Sequence, residues 1–173
     1  MKEQYSVAIC PPADIIIVID GMKDSLAAKI GWYHSRNSKG HITFNVFEAD
    51  ESEMPAIKGF LARFCRNLVA ASLSFNQTGS YPNGAFYLSP DEASKDRIAK
   101  VMEQFHCSFP LQKVKKSCDP HLSIARRLKG EKLLAAAGMF SGKQDISFLW
   151  DRLSLRKFNG KQYFIESEFL FSG

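Results

Sequence analysis

The sequence predicts an α+β fold of two pseudo-symmetric lobes, each an antiparallel sheet with helices packed on it, that enclose a central cleft. Two tetrapeptides share one pattern of histidine, apolar residue, hydroxyl residue and apolar residue: residues 41–44 read HITF, and residues 121–124 read HLSI. Asn83 and Asn159 begin Asn-Gly pairs at nearly equal distances after the two tetrapeptides. Because helical and alternating segments recur in the same order around these landmarks, we interpret the chain as a single bilobal domain, residues 1–173, with a duplicated lobe.

The first lobe is expected to occupy about residues 11–88, after a strand within residues 1–10 that joins either sheet. Apolar residues at helical spacing predict a helix from Asp14 to about residue 30. A strand is the alternative for its first half, because residues 15–19 are all β-branched. Residues 41–47 alternate between apolar and polar side chains, which predicts a half-buried strand with a polar outer face.

A second helix and a hairpin complete the first lobe. Asp50 and Glu53 have the spacing of a capping box, and an apolar stripe follows them. Alternating segments on either side of the pair Asn83 and Gly84 predict two antiparallel strands joined by a tight turn.

The second lobe is expected to span about residues 89–173. Ser89 as N-cap and Pro90 at the first helical position predict the start of its first helix. After the second tetrapeptide come another helix, an alternating strand, and a shift in the alternation at Asp151 and Arg152, which predicts a β-bulge. The pair that begins at Asn159 predicts the final hairpin.

Composition limits the classes of function. With 45% hydrophobic and 24% charged residues the chain is typical of globular proteins, and its net charge of +5 and pI near 9.0 favour anionic partners such as nucleotides or RNA. The longest apolar run, residues 15–19, is far shorter than the ~20 residues of a membrane span. The four cysteines form no CxxC pair and are expected to be reduced thiols of a cytoplasmic protein. No His, Cys, Asp and Glu cluster has metal-site spacing, so neither a metal nor a cofactor is expected.

The two tetrapeptides contain the residue types that metal-free acid/base chemistry needs. Alternate side chains of a strand share a face, so His41 should lie beside Thr43, and His121 beside Ser123. One imidazole can remove a proton from an attacking oxygen while the other donates one to a leaving oxygen. The hydroxyls can donate hydrogen bonds to non-bridging phosphate oxygens. This arrangement fits phosphodiester cleavage.

The pair HITF and HLSI resembles the paired H-x-[ST]-x signature of the 2H phosphoesterase superfamily, which includes the bacterial 2'-5' RNA ligase and RNA 2',3'-cyclic phosphodiesterase family. The resemblance covers essentially the whole chain. It implies hydrolysis of cyclic phosphates at RNA ends or in nucleotides, with 2'-5' RNA ligation as a further activity. It assigns His41 as acid and His121 as base, although the pseudo-symmetry leaves that order open, and it assigns Thr43 and Ser123 to phosphate binding.

The second tetrapeptide also resembles a longer pattern of this family. Residues 121–126 are similar to H-x-T-x-A-R, with serine in place of threonine, which makes Arg126 a candidate phosphate ligand. Strict alternation would point Arg126 to the apolar face, so it reaches the cleft only if the strand ends or bulges there. By parity Arg127 is the alternative, and two solvated arginines at a strand end are the structural alternative to both.

A second hypothesis is a nucleotide- or RNA-binding module that has the same cleft but performs no catalysis. Retention of both histidines and both hydroxyls argues against it, because a binding module could lose any of them. Tyr33, Tyr81 and Trp150 could stack on a base, although such aromatic residues more often pack in a core. A monomer without a membrane partner is expected.

Overall fold

The computed structural model describes residues 1–173, which form four helices and nine strands. The helices, in chain order, are α1 Ala13–Ile30, α2 Met54–Arg66, α3 Glu92–Ser108 and α4 Glu131–Met139. The strands, in chain order, are β1 Glu3–Ile9, β2 Ile42–Ala49, β3 Ala71–Ser80, β4 Phe86–Pro90, β5 Val114–Lys116, β6 Leu122–Ala125, β7 Ile146–Trp150, β8 Arg152–Phe158 and β9 Tyr163–Leu170. This arrangement confirms the predicted α+β class.

Two antiparallel sheets carry the two tetrapeptides. Sheet A has five strands in the order β5-β2-β1-β8-β9, and sheet B has four in the order β6-β4-β3-β7. The first tetrapeptide therefore enters sheet A through β2, and the second enters sheet B through β6. The N-terminal strand β1 joins sheet A, where it pairs with β2 and β8.

Each sheet contains strands from both halves of the sequence. The hairpin β3-β4, which follows the first tetrapeptide, pairs with β6 and β7, whereas the last hairpin, β8-β9, pairs with β1. The expected lobe boundaries, residues 11–88 and 89–173, therefore do not coincide with the sheets. The physical reason is that α2 leads the chain from sheet A to sheet B. A repeat in sequence shows the order of the elements but not which strands pair, so it does not reveal this crossing.

The predicted bulge at Asp151 is instead a change of sheet. Up to Trp150 the chain pairs with β3 in sheet B, and from Arg152 onward it pairs with β9 in sheet A. The indole Nε1 of Trp150 donates a hydrogen bond to the carbonyl of Arg152 at 2.9 Å across this crossing. Residues before and after the shift can thus both be buried, because β7 and β8 face the same core from different sheets.

A single core of 33 buried residues fills the space between the sheets and the helices. Phe105 of α3 is fully buried in this core and packs edge-on against Phe44 of the first tetrapeptide, with ring centroids 5.3 Å apart. The same ring packs against Phe60 of α2 at 5.5 Å. The apolar fourth residue of the first tetrapeptide therefore anchors its strand, as predicted.

The first helix, α1, forms through its whole β-branched segment, so the alternative of a strand is wrong there. Ile19 and Leu26, two turns apart, are fully buried against the core, and Ile17 and Val18 face solvent. Amphipathic burial therefore outweighs the weak helix propensity of this segment. No helix of the protein combines the length and the apolar character that a membrane crossing requires.

The two predicted helix starts differ in outcome. Glu53 Oε2 accepts from the amide of Asp50 at 3.0 Å, and Asp50 Oδ1 accepts from the amide of Glu53 at 3.2 Å, as in a capping box, immediately before α2. At α3 the N-cap is Asp91, whose Oδ1 accepts from the amide of Ser94 at 2.8 Å. Ser89 was the wrong choice because Pro90 still belongs to β4.

Gly84 holds the end of the second motif strand in place. Its φ is +83°, and its carbonyl accepts a hydrogen bond from the amide of Leu128 at 2.9 Å. A Cβ atom at this position would lie 2.1 Å from the carbonyl oxygen of Leu128. The turn after β3 therefore requires glycine both for its backbone conformation and for this close approach.

We predict that Gly84→Ala lowers the free energy of unfolding by about 1–3 kcal/mol, because it combines a left-handed backbone with a backbone clash. Gly138→Ala is the matched control, since Gly138 lies in α4 with open space around its Cα. We expect this control to raise stability by about 0.4–1 kcal/mol. Urea denaturation measures both, and equal effects of the two substitutions would contradict the role of Gly84.

Candidate active site

The first tetrapeptide contains a β-bulge at its fourth residue. Val7 of β1 pairs with Asn45, whereas the next residue, Ala8, pairs with Thr43. Phe44 is therefore the extra residue, without a partner on β1. A bulge reverses the alternation of side chains, so that residues on either side of it no longer follow strict parity.

The second tetrapeptide contains a bulge at the equivalent residue. Phe86 of β4 pairs with Ala125, whereas Tyr87 pairs with Ser123. Ile124 is thus the extra residue of this strand. The two motif strands share an irregularity at the same position as well as a residue pattern.

The bulges bring residues three positions apart onto one face. Thr43 and Val46 of β2 both line a cleft between the sheets, and so do Ser123 and Arg126 of the second motif. In strict alternation a residue and the third one after it would point to opposite faces. Arg126 therefore reaches the cleft because of the bulge and because β6 ends at Ala125, as the condition set out from the sequence requires.

The cleft has a volume of about 590 Å³ and is strongly basic. Its lining residues are Thr43, Val46, Tyr81, Asn83, Ala85, Lys115, Lys116, Ser117, His121, Ser123, Arg126 and Arg127. Four of them carry a positive charge and none carries a carboxylate. Nowhere in the chain do three or more His, Cys, Asp or Glu side chains form a group that could hold a metal ion.

Both motif imidazoles are fixed in the same way. His41 Nδ1 lies 2.7 Å from the carbonyl oxygen of Lys39, and His121 Nδ1 lies 2.8 Å from the carbonyl oxygen of Asp119. A carbonyl only accepts, so Nδ1 is the donor in each ring and the proton sits there. Each neutral ring therefore has its free lone pair on Nε2, where it can act on a substrate.

His41 lies beside the cleft and is half-buried, but it is not among the residues that line the cleft. Burial, followed by the nearby Arg156 guanidinium, lowers the pKa of His41 to about 3, and the charges of Arg126 and Lys23 act in the same direction. Its ring is therefore neutral at pH 7 in the ligand-free protein. An anion bound among these cations would raise the affinity of His41 for a proton.

His121 lines the basic cleft and also lies near a carboxylate, that of Asp119. The Tyr81 hydroxyl donates a hydrogen bond to Asp119 Oδ2, and Lys95 Nζ lies 3.2 Å from Asp119 Oδ1. Burial raises the pKa of Asp119, but the hydrogen bonds from Tyr81 and Lys95, together with the charge of Lys95, outweigh it and the net pKa is lowered. The Tyr81 hydroxyl also lies 3.4 Å from His121 Nδ1, so Tyr81 connects the Asp119 carboxylate to the second imidazole.

The two arginines after the second tetrapeptide differ in their contacts. Arg126 lines the cleft, and its charge lowers the pKa of both His41 and Lys23, so it lies near the first motif although it follows the second in sequence. Arg127 has a left-handed φ of 58°, and its Nη1 donates to His34 Nε2 at 3.1 Å. Arg127 therefore lines the cleft and at the same time joins the second motif to the loop that follows α1.

Sequence reasoning did not single out Asp119 or Arg156 as parts of the site. Asp119 has a local signal, because it lies two residues before His121, in the loop that delivers that histidine. Arg156 has a weaker signal, a charged residue in a strand where Leu153 and Leu155 are buried. Of the aromatic candidates only Tyr81 lines the cleft, since Tyr33 and Trp150 are 3% and 2% exposed and belong to the core.

We predict that the His41 imidazole titrates well below its ordinary value of 6.5 in the ligand-free protein, and that inorganic phosphate raises the midpoint because its charge offsets the neighbouring cations. Ring nitrogen NMR spectra as a function of pH measure both values, and the variant His41→Gln identifies the signal. A midpoint at or above 6.5 without phosphate would contradict the described surroundings of this ring.

Comparison with solved structures shows which fold this is. The chain is similar to E. coli LigT complexed with 3'-AMP, with a TM-score of 0.69, 13% identity and coverage of 100% of both chains. It is also similar to TT0787 of Thermus thermophilus, with a TM-score of 0.66, 15% identity and 98% coverage of both. Usb1 of Kluyveromyces marxianus matches with a TM-score of 0.60, 10% identity and 98% coverage of both. These identities show a shared fold alone.

Comparison of sequences gives the family. No curated protein sequence matches the chain significantly. The family model described as the 2'-5' RNA ligase superfamily matches residues 11–162, which contain both tetrapeptides, all of sheet B and three of the five strands of sheet A. The chain therefore belongs to the 2'-5' RNA ligase superfamily of 2H phosphoesterases.

Proposed function

We propose that the chain is a cytoplasmic, monomeric, metal-independent phosphoesterase that hydrolyses a 2',3'-cyclic phosphate or a related phosphodiester at RNA ends or in nucleotides. One observation carries this proposal: two bulged strands hold two imidazoles, with their Nδ1 atoms fixed by backbone carbonyls, beside a basic cleft. Membership of the family supports a phosphodiesterase-type enzyme. The similar LigT is described in complex with 3'-AMP, which supports a nucleotide as ligand.

The proposed reaction needs one proton acceptor and one proton donor. His121 Nε2 removes a proton from water, and the water oxygen attacks phosphorus. The bond from phosphorus to the 3' oxygen breaks, and protonated His41 gives its Nε2 proton to that oxygen. The product is a 2'-phosphomonoester with a free 3'-hydroxyl, and a second proton exchange restores both rings.

The surroundings of the two rings favour this order of roles. Asp119 stabilises the imidazolium that forms on His121, as expected of a base. His41 lies near Arg156 and Arg126, which make it a ready proton donor once substrate charge has allowed it to bind a proton. The order agrees with the assignment that the family resemblance implies.

Phosphate binding falls to the hydroxyls and to the basic residues of the cleft. Thr43 and Ser123 line it from opposite sheets, so that each can donate a hydrogen bond to a different non-bridging oxygen. Arg126 adds a guanidinium on the sheet B side, and Lys115, which pairs with Val46, adds an ammonium on the sheet A side. Their charges offset the negative charge that builds up in the transition state.

The same site can also serve 2'-5' ligation, which is the reverse of the transesterification that forms a cyclic phosphate. A 5'-hydroxyl in the place of water would attack the cyclic phosphate, and the same two rings would move the protons.

The alternative hypothesis, a nucleotide- or RNA-binding module without catalysis, uses the cleft but gives the paired imidazoles no role. It predicts RNA binding that weakens steeply with salt, without cleavage.

We predict that the wild-type protein hydrolyses a nucleoside 2',3'-cyclic phosphate or an oligoribonucleotide with a cyclic end in the presence of a chelator. His41→Ala and His121→Ala should each lower kcat by about 10²–10⁴, the usual contribution of a general acid or base. Chromatography of the phosphomonoester product measures the rates.

His106→Gln is the control, because His106 lies on α3 and donates from Nε2 to the carbonyl of Ser117, a bond that a glutamine amide can replace. Its kcat should remain within about threefold of wild type, since the change preserves a neutral hydrogen bond. If the wild type turns over none of these substrates, or both alanine variants keep near-normal rates, the proposed function is wrong.

A further inference from the structure

One row of paired residues crosses the cleft face of sheet A. Lys115 of β5 pairs with Val46 of β2, Val46 pairs with Ser6 of β1, and Ser6 pairs with Arg156 of β8. Residues directly opposite each other in antiparallel strands have side chains on the same face. Because Val46 and Lys115 line the cleft, Arg156 leaves the sheet on the cleft side, with the small Ser6 between.

Arg156 is a buried cation without an anionic partner. Its side chain is 5% exposed, and its Nη1 is buried and has no hydrogen-bond partner. The guanidinium lies over the ring of Tyr163, 4.9 Å from the centroid, which compensates part of its charge. This burial lowers the pKa of Arg156. An unpaired buried donor is costly unless a ligand completes it.

A second cavity, of about 330 Å³, opens at this guanidinium. Its lining includes the basic residues Arg36, Lys39 and Lys161 and contains no Asp or Glu. Arg36 and Lys39 are paired with aspartates outside the lining, whereas Lys161 is exposed and takes part in no ion pair. The charge that remains available for a ligand is therefore that of Arg156 and Lys161.

The second cavity adjoins the proposed reaction site. Lys39, in its lining, supplies the carbonyl that fixes His41. His34, also in its lining, accepts the hydrogen bond from Arg127, which lines the cleft. His41 lines neither space itself, but its chain neighbours Lys39 and Thr43 line the second cavity and the cleft, so the two spaces approach each other at this residue.

We propose that the second cavity is a binding subsite for a further phosphate group, the one carried on the 5' oxygen of the nucleotide whose 2',3' phosphate reacts, and that Arg156 and Lys161 bind it. This inference rests on the proposed function and extends it to the substrate. A phosphate oxygen accepts a hydrogen bond from the Arg156 guanidinium, whose Nη1 has no partner in the protein. Trp32, 69% exposed at the rim, can stack on a neighbouring base.

Three substrates test the subsite: a nucleoside 2',3'-cyclic phosphate, the same compound with a 5'-phosphate, and a dinucleotide with a cyclic end. We expect kcat/KM of the wild type to be about tenfold or more higher for the second or third substrate than for the first, the effect of one charge-assisted hydrogen bond. Arg156→Met and Lys161→Ala should each remove most of this preference. The ratio between substrates is the readout, because any effect of Arg156 on His41 cancels in it.

Lys100→Ala is the matched control for Lys161→Ala, since Lys100 is exposed on α3 and lines neither space. Its substrate ratio should equal that of the wild type. A gain for the dinucleotide alone supports a subsite for the RNA chain, and a gain for both phosphorylated substrates supports a subsite for any 5'-phosphate. A wild-type ratio near one, or a ratio unchanged in both variants, overturns the inference.

Direct binding separates this inference from the proposed function. Calorimetry compares a nucleoside 3',5'-bisphosphate with the corresponding 3'-monophosphate, and neither requires turnover. We expect the bisphosphate to bind about tenfold or more tightly, and Arg156→Met, if it shows the wild-type circular dichroism spectrum, or Lys161→Ala to remove the difference. Equal affinities for the two nucleotides would overturn the subsite even if the protein proves to be an active phosphoesterase.

Discussion

The β-bulge at the fourth residue of each tetrapeptide is the constraint on which the site depends. Phe44 and Ile124 are buried and pack in the core, yet neither has a partner in its ladder. Each bulge lets the apolar residue stay inside while the residue before it and the second residue after it face the cleft; these are Thr43 and Val46 in the first motif and Ser123 and Arg126 in the second. A regular strand could present the histidine and the hydroxyl, but it would turn Arg126 away from them.

The charges of the protein are distributed unequally around this symmetric backbone. Both imidazoles have an Nδ1 atom fixed by the carbonyl two residues earlier, so their geometry is equivalent. Their neighbours differ, because the charges of Arg156, Arg126 and Lys23 lower the pKa of His41 whereas the carboxylate of Asp119 lies near His121. Val46 and Arg126 occupy equivalent positions after the two bulges. The first motif therefore has an apolar side chain where the second has a positive charge. A duplicated fold can in this way separate the tasks of donating and accepting a proton.

The sequence predicted the elements and the motif residues because these depend on local patterns. Alternation identified β2, apolar spacing identified α1 and α2, and the resemblance identified the family. Strand pairing was not predictable in the same way, since nothing local shows that β3 and β8 exchange sheets. The bulge at Ile124, and with it the direction of Arg126, depends on pairing with β4. Arg156 lies 115 residues after His41 in the chain and comes near it only through β1, so no motif could reveal it.

The most direct test of the central claim is a crystal structure with vanadate, which mimics five-coordinate phosphorus. The account predicts one anion that accepts hydrogen bonds from the Thr43 and Ser123 hydroxyls and lies within hydrogen-bond distance of Nε2 of both His41 and His121. Vanadate bound to one motif only, or elsewhere on the protein, would contradict the claim that the two bulged strands form a single site.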